Sequence, residues 1–120
     1  MTRLVLVADD EPMIRESVSR LLEARGHQVD AVGVAAEAQA SIRRRLPDVA
    51  IVDWKMPGGG GEAVVQELLD TPGFRGSVIV ISGAREDEFP AAFHDRGVTR
   101  LRKPFSFPRL VALVEGAAGG

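Results

Sequence analysis

Residues 49–61 read VAIVDWKMPGGGG, a stretch in which a short apolar run ends at an aspartate, Asp53. Continuous β-branched runs of this length are typical of strands that are covered on both faces of a parallel sheet. VAIV at 49–52, LVLVA at 4–8 and VIVI at 78–81 share this character. The more polar runs HQVDAV at 27–32 and VTRLR at 98–102 are predicted to be flanking strands.

Segments with helical periodicity separate these strands. The first segment has Pro12 in its first turn and Gly26 after its end, as helix termini favour. Five helices are predicted from apolar residues at helical spacing: Ile14, Val18, Leu21 and Leu22; Ala35, Ala38 and Ile42; Val64, Val65, Leu68 and Leu69; Phe89, Ala92 and Phe93; and Phe107, Leu110, Val111 and Val114. Strict alternation predicts an α/β fold with a doubly wound five-stranded parallel sheet in the order 2-1-3-4-5.

Composition excludes several classes of function. A chain of 120 residues with 45% hydrophobic content matches one domain, and no apolar stretch is long enough to span a membrane, so we expect a cytoplasmic protein without membrane contact. The absence of cysteine and the isolation of His27 and His94 exclude disulfides and predict no zinc site. A net charge of −2 predicts no nucleic-acid surface, and the basic run at 43–45 is interpreted as a solvated helix end.

Residues whose side chains can take part in catalysis or metal binding lie where the predicted strands end. Asp9 and Asp10 follow the first strand, Asp53 the third, Ser82 the fourth and Lys103 the fifth. In the order 2-1-3-4-5 the first and third strands are neighbours, and ligands of such sheets bind at the carboxyl ends of the strands. The three aspartates are therefore predicted to share one pocket.

Three carboxylates in one pocket need a positive partner. Two unit charges 4 Å apart repel by roughly 4 kcal/mol at an effective dielectric constant near 20. A hard divalent cation such as Mg²⁺ offsets this repulsion, and carboxylates with a backbone carbonyl are ligands it accepts. The alternative is that Asp10 caps the helix starting at Pro12 while Asp9 and Glu11 favour its positive end, which leaves Asp53 unexplained.

Lysine is rare in this chain and is placed selectively. Only Lys55 and Lys103 are lysines among fifteen cationic residues, and both fall in loops that follow strands. A lysine ammonium is a compact charge on a flexible stem that can reach a carboxylate or phosphoryl oxygen in a crowded site. The placement indicates that the predicted pocket uses lysine chemistry.

The segments LVADDE, VDWKMPGGGG, VIVISG and LRKPF, in this order, resemble the receiver domain of two-component response regulators over the whole chain, 1–120, with 116–120 as a tail or the start of a linker. The resemblance implies a flavodoxin-like fold and phosphorylation of Asp53 by a partner histidine kinase or phosphotransfer protein. It implies Mg²⁺ bound by Asp10 directly and by Asp9 through water, with the backbone carbonyl of Lys55 as a further ligand. Ser82 would supply the hydroxyl and Lys103 the ammonium that contact the phosphoryl group.

These roles imply a signalling domain, which catalyses only its own phosphorylation and dephosphorylation. Phosphorylation adds a charge of about −1.5 to −2 and strong acceptor oxygens, so Ser82 is interpreted as the sensor that moves on phosphorylation. A downstream effector protein or a tethered output domain would read the change.

One position departs from the family pattern, and two others bear on the lifetime of the phosphorylated state. Arg100 stands where the family often has an aromatic switch residue, and we hypothesise that it pairs with Glu86, Asp87 or Glu88. Lys55 and Ala84 occupy positions that in the family flank the water attacking the acyl phosphate. Because Lys55 would screen that water, we expect a phosphorylated state that lasts longer than in receivers with a small polar residue there. Gly61 matches the glycine that opens the third helix, where a side chain would obstruct the turn.

Two other functions were weighed. An aspartyl-phosphate phosphohydrolase usually needs a second acid two residues after its nucleophile, and Lys55 occupies that place. A degenerate receiver would act as a phosphorylation-independent interaction module, although every expected site residue is present.

Overall fold

The chain folds around one parallel sheet. A computed structural model describes residues 2–56, 60–83, 93 and 96–117. The five strands are β1 (Leu4–Ala8), β2 (Gln28–Val32), β3 (Val49–Asp53), β4 (Ser77–Ser82) and β5 (Val98–Arg102). They are all parallel and lie in the order β2-β1-β3-β4-β5. The predicted fold class and strand order are confirmed.

Four helices lie within the described residues: α1 (Pro12–Ala24), α2 (Ala35–Arg44), α3 (Gly60–Asp70) and α4 (Phe107–Ala117). They correspond to the first, second, third and fifth predicted helices. The remaining predicted helix, around Phe89, Ala92 and Phe93, falls outside the described residues except for Phe93. None of the helices among the described residues has the length and hydropathy needed to cross a membrane.

The helices cover both faces of the sheet, because alternate residues of each strand point to opposite faces. On one face the strands pack against α2 and α3, through residues that include Ala38, Ile42, Val64 and Leu68. On the other face they pack against α1 and α4, through Val18, Leu22, Leu110 and Val114. The central strands are buried on both faces, which explains why their sequences are continuously apolar.

The register of the strands decides which loops meet. Ala8 at the end of β1 is paired with Val52 of β3, so the residues that follow them, Asp9 and Asp53, emerge side by side. β3 and β4 each extend further than the apolar runs predicted, so Asp53 and Ser82 are the last residues of their strands. The hydrogen-bonded strands therefore fix the backbone positions of Asp9, Asp53 and Ser82 at the carboxyl edge of the sheet.

Candidate functional site

Three carboxylates converge at the carboxyl edge of the sheet, and we call Asp9, Asp10 and Asp53 the acid cluster. Each offers one oxygen, and these oxygens all lie within 4.8 Å of one another. Asp9 is 2% exposed and Asp53 4% exposed, whereas Asp10 is exposed. The structure thus brings together the three acids that the strand order placed at one edge.

The turn between β1 and α1 is held by Asp9 rather than by Asp10. The Glu11 N–H donates to Asp9 Oδ1 at 2.9 Å, and Glu11 is the N-cap residue of α1 without a side-chain capping bond. The alternative that Asp10 caps this helix is therefore wrong, because Glu11 occupies the N-cap position and no side chain caps the helix there. Asp10 is left available to the acid cluster.

The second carboxylate oxygen of Asp9 has unmet bonding capacity. Asp9 Oδ2 is buried and has no hydrogen-bond partner among the described residues. A buried carboxylate oxygen without a partner costs free energy unless a cation or a donor compensates it. A Mg²⁺ ion, which takes oxygen ligands, fits this oxygen and the two neighbouring carboxylates.

Burial and mutual repulsion disfavour the ionised acids. Burial raises the pKa of Asp53 to about 6, with further contributions from the Asp9 charge and a hydrogen bond with Asp10, opposed mainly by the Lys103 charge. Burial also raises the pKa of Asp9, while the Glu11 N–H and the Lys103 charge oppose this shift. Perturbed carboxyl groups of this kind concentrate at functional sites.

Lys103 places a positive charge beside the carboxylates of the acid cluster. Its Nζ lies 3.7 Å from Asp53 Oδ1 and 3.5 Å from Glu11 Oε1. The ammonium therefore bridges Asp53 and Glu11. Sequence reasoning missed this contact of Glu11, although its place directly after two site acids was a signal.

Ser82 and Lys55 flank Asp53 from neighbouring backbone positions. Ser82 is 3% exposed, and its carbonyl oxygen accepts a hydrogen bond of 3.1 Å from the Lys103 N–H. This bond ties the end of β4 to the loop that carries the lysine. The Lys55 N–H approaches Asp53 Oδ1 at 3.4 Å, and the Lys55 side chain is exposed.

Arg100 lies apart from the acid cluster, in the middle of β5. It is paired in register with Val80 and shares the sheet face of Val98, which packs with the α2 and α3 side of the core. The acids hypothesised to pair with it, Glu86, Asp87 and Glu88, lie outside the described residues, as does Ala84. The hypothesis of that pairing stays a prediction.

The start of α3 is packed directly against the phosphoacceptor candidate. The Gly61 N–H donates to the Trp54 carbonyl oxygen at 2.9 Å. A Cβ at Gly61 would collide with the Asp53 carbonyl oxygen and would lie 2.9 Å from Trp54 Cα. Only glycine fits here without a shift of backbone, as the sequence predicted.

A family model described as the response regulator receiver domain matches residues 5–115. The chain belongs to this family. The receiver domain is 32% identical over 116 residues to the phosphate regulon transcriptional regulatory protein PhoB of Rhizobium meliloti, covering 92% of this chain and 50% of that protein. It is 34% identical over 108 residues to the probable transcriptional regulatory protein TcrX of Mycobacterium tuberculosis, covering 89% and 46%. It thus spans about half the length of these relatives.

Solved structures share the architecture of this receiver domain. A putative response regulator from Chloroflexus aurantiacus superposes with a TM-score of 0.86 at 23% identity and full coverage of both chains (100% each), which is a likeness of fold alone. NtrX from Brucella abortus gives a TM-score of 0.83 at 31% identity, covering 99% of this chain and 27% of that one.

Proposed function

We propose that this receiver domain accepts a phosphoryl group on Asp53 from a histidine kinase or phosphotransfer protein, and that phosphorylation switches its partner-binding surface. The observation that carries the proposal is the placement of Asp53 in the acid cluster with the Lys103 ammonium 3.7 Å from its carboxylate. A nucleophilic carboxylate beside a cation and a metal site is the arrangement that phosphoryl transfer needs.

In the proposed transfer, Asp53 acts as the nucleophile. Its carboxylate oxygen forms a bond to phosphorus while the P–N bond of the donor phosphohistidine breaks, and the electron pair leaves on the imidazole nitrogen, which takes a proton from solvent. Asp10 and Asp9, the latter through water, would hold Mg²⁺ with Asp53 and the backbone carbonyl of Lys55. When bound, Mg²⁺ would neutralise charge on the transferring oxygens.

Lys103 and Ser82 are the groups that would respond to the new phosphoryl oxygens. Lys103 is already within 3.7 Å of Asp53 and would pair with a phosphoryl oxygen. The Ser82 hydroxyl, at the buried end of the neighbouring strand, would donate to another. Because the Ser82 carbonyl is bonded to the Lys103 N–H, a movement of one residue would be transmitted to the other.

Exposed apolar side chains near the site support a protein as the phosphodonor. Met13, in the first turn of α1, is 79% exposed, and Phe107, the first residue of α4, is 43% exposed. Both helices start shortly after site residues, Asp10 and Lys103 respectively. A partner that brings its phosphohistidine to Asp53 would cover these side chains.

The test is phosphorylation by a small acyl phosphate such as acetyl phosphate, read by intact-protein mass. We expect the wild type to gain one phosphoryl group only when Mg²⁺ is present, and Asp53→Asn to gain none. Asp70→Asn, an exposed change on α3, is the matched control and should behave like the wild type.

The outcome also separates the alternatives. A wild type that is never phosphorylated would contradict the proposal and favour a phosphorylation-independent interaction module. Steady turnover of a small phosphate ester through Asp53 would instead indicate a phosphohydrolase.

A further inference from the structure

Arg15 contacts the backbone of the acid cluster from the second turn of α1. Its Nη1 donates to the Asp9 carbonyl oxygen at 2.8 Å. Arg15 is half-buried, so its guanidinium is held against the protein rather than extended into solvent. A hydrogen bond from a charged donor is stronger than one between neutral groups, so this contact restrains the Asp9 peptide.

Gly33 leaves the space that the Arg15 guanidinium occupies. A Cβ built on Gly33 would lie 2.7 Å from Arg15 Nη1 and 3.9 Å from the Asp9 carbonyl oxygen. Gly33 is not in the positive-φ region, so its backbone conformation is open to other residues. A side chain at Gly33 would therefore have to displace the Arg15 guanidinium.

Asp9 is anchored on both sides of its backbone. Its N–H donates to the Val32 carbonyl oxygen at 3.0 Å, while its carbonyl oxygen accepts from Arg15. Its side-chain Oδ1 accepts from the Glu11 N–H, which leaves Oδ2 as the buried oxygen without a partner in the described structure. Removal of the Arg15 bond would leave the Asp9 backbone held on one side only, through its N–H.

We propose that Arg15 is a positioning residue that holds Asp9 in its metal-binding orientation, and that Gly33 is glycine because its missing side chain accommodates the Arg15 guanidinium. This inference rests on the proposed function, since it assigns a role toward the same Mg²⁺ site. Residues that orient metal ligands from outside typically change metal affinity by roughly 10- to 100-fold when they are replaced.

The experiment is a titration with MgCl₂ followed through the ¹H–¹⁵N signals of Asp10 and Glu11. Arg15→Met removes the donors but keeps a similar length, and we expect roughly tenfold weaker Mg²⁺ binding. Arg15→Lys keeps a donor and should recover most of the affinity. Arg20→Met, at an exposed arginine on the same helix, is the control and should bind like the wild type.

A double variant tests the role of Gly33. Gly33→Ala alone should weaken Mg²⁺ binding, but Gly33→Ala with Arg15→Met should bind no more weakly than Arg15→Met, because the added methyl group acts through Arg15. Without metal, the Glu11 amide signal should move in Arg15→Met and stay in place in Arg20→Met, since it reports the bond to Asp9 Oδ1.

The results separate this inference from the proposed function. Wild-type Mg²⁺ binding with an unchanged dissociation constant in Arg15→Met overturns the role of Arg15 and leaves the proposed function standing. Additive losses in the double variant overturn the explanation of Gly33. A wild type without Mg²⁺ binding overturns both proposals.

Discussion

At the scale of single residues, the acid cluster buries neighbouring negative charges, which destabilises the folded state. Asp9 and Asp53 are buried beside each other, and the Lys103 ammonium is shared between Asp53 and Glu11. The raised pKa of Asp53 reflects this imbalance. Function and stability are therefore opposed at these positions, as is common at active sites.

The first prediction concerns Asp53→Asn in metal-free buffer at neutral pH. The amide removes the buried charge that Asp9 repels, so we expect the free energy of unfolding to rise by about 1–3 kcal/mol. Urea denaturation measures this difference. Adding Mg²⁺ should shrink it, because the ion stabilises the wild type by binding to its folded state.

Asp70→Asn on the surface of α3 is the control for this stability measurement, and we expect a change of less than about 0.5 kcal/mol. A metal-free Asp53→Asn protein that is less stable than the wild type would contradict the prediction.

The second prediction concerns the lifetime of the phosphorylated state. The Lys55 N–H lies next to Asp53 Oδ1. The side chain of Lys55 is exposed and would screen the phosphorylated Asp53 from attacking water. We expect Lys55→Asn to lose phosphate faster than the wild type, as measured by the decay of the phosphorylated mass after the donor is removed. Faster decay in the wild type than in Lys55→Asn would contradict this prediction.

At the scale of secondary-structure elements, close packing of α3 against the end of β3 positions the site. Gly61 is buried, and its backbone touches the residues around the Asp53 peptide. Gly116, in α4, is also helical, but a Cβ there would meet nothing within 4 Å. Substitutions at these two glycines therefore distinguish a steric requirement for glycine from the effect of helix propensity.

The third prediction compares Gly61→Ala with Gly116→Ala. Alanine at Gly61 must displace the Asp53 carbonyl oxygen, so we expect a loss of about 2 kcal/mol or more in unfolding free energy and weaker Mg²⁺ binding. Alanine at Gly116 should be neutral or stabilise by up to about 1 kcal/mol through helix propensity. Chemical denaturation checks both, and equal effects at the two positions would refute the steric argument.

At the scale of the whole molecule, a group of residues near the amino ends of β1 and β2 joins α4 to the first half of the chain. We call Arg3, Arg25, His27 and Glu115 the Glu115 clamp. Arg25 donates two hydrogen bonds to Glu115, at 2.6 and 2.7 Å, and His27 Nε2 lies 3.0 Å from Glu115 Oε2. The backbone N–H of Arg3 donates to His27 Nδ1, so Nε2 carries the ring hydrogen toward Glu115.

The fourth prediction is a pH dependence of stability from Glu115. The hydrogen bonds from Arg25 and His27 lower the pKa of Glu115 to about 2, from the ordinary value of 4.5. A lowered pKa in the folded state means that the stabilisation is fully present above pH 4.5 and is lost as the pH falls toward 2. We expect Glu115→Gln to be less stable than the wild type at pH 6, with a difference that shrinks below pH 4.5.

Thermal denaturation across this pH range measures the difference. Glu23→Gln, at an exposed position of α1, is the control and should follow the wild type at every pH. A Glu115→Gln deficit that stays constant from pH 6 to the acid limit would contradict the role of the carboxylate charge.

The sequence by itself determined the sheet order and the edge at which Asp9, Asp10, Asp53, Ser82 and Lys103 lie. Apolar periodicity and strand-end positions are local properties, and the rules of parallel α/β sheets convert them into neighbours in space. The resemblance to the receiver-domain family predicted that Gly61 opens α3.

Only the tertiary structure decided the contacts of Arg15 with Asp9, of Glu11 with Lys103, and of His27 with Glu115. The last pair is separated by 88 residues, and nothing in the spacing of either residue indicates the other. It also decided that Asp9 accepts a hydrogen bond from Glu11, the residue before α1. Such contacts depend on how side chains pack between elements, and a local periodicity carries no information about that packing.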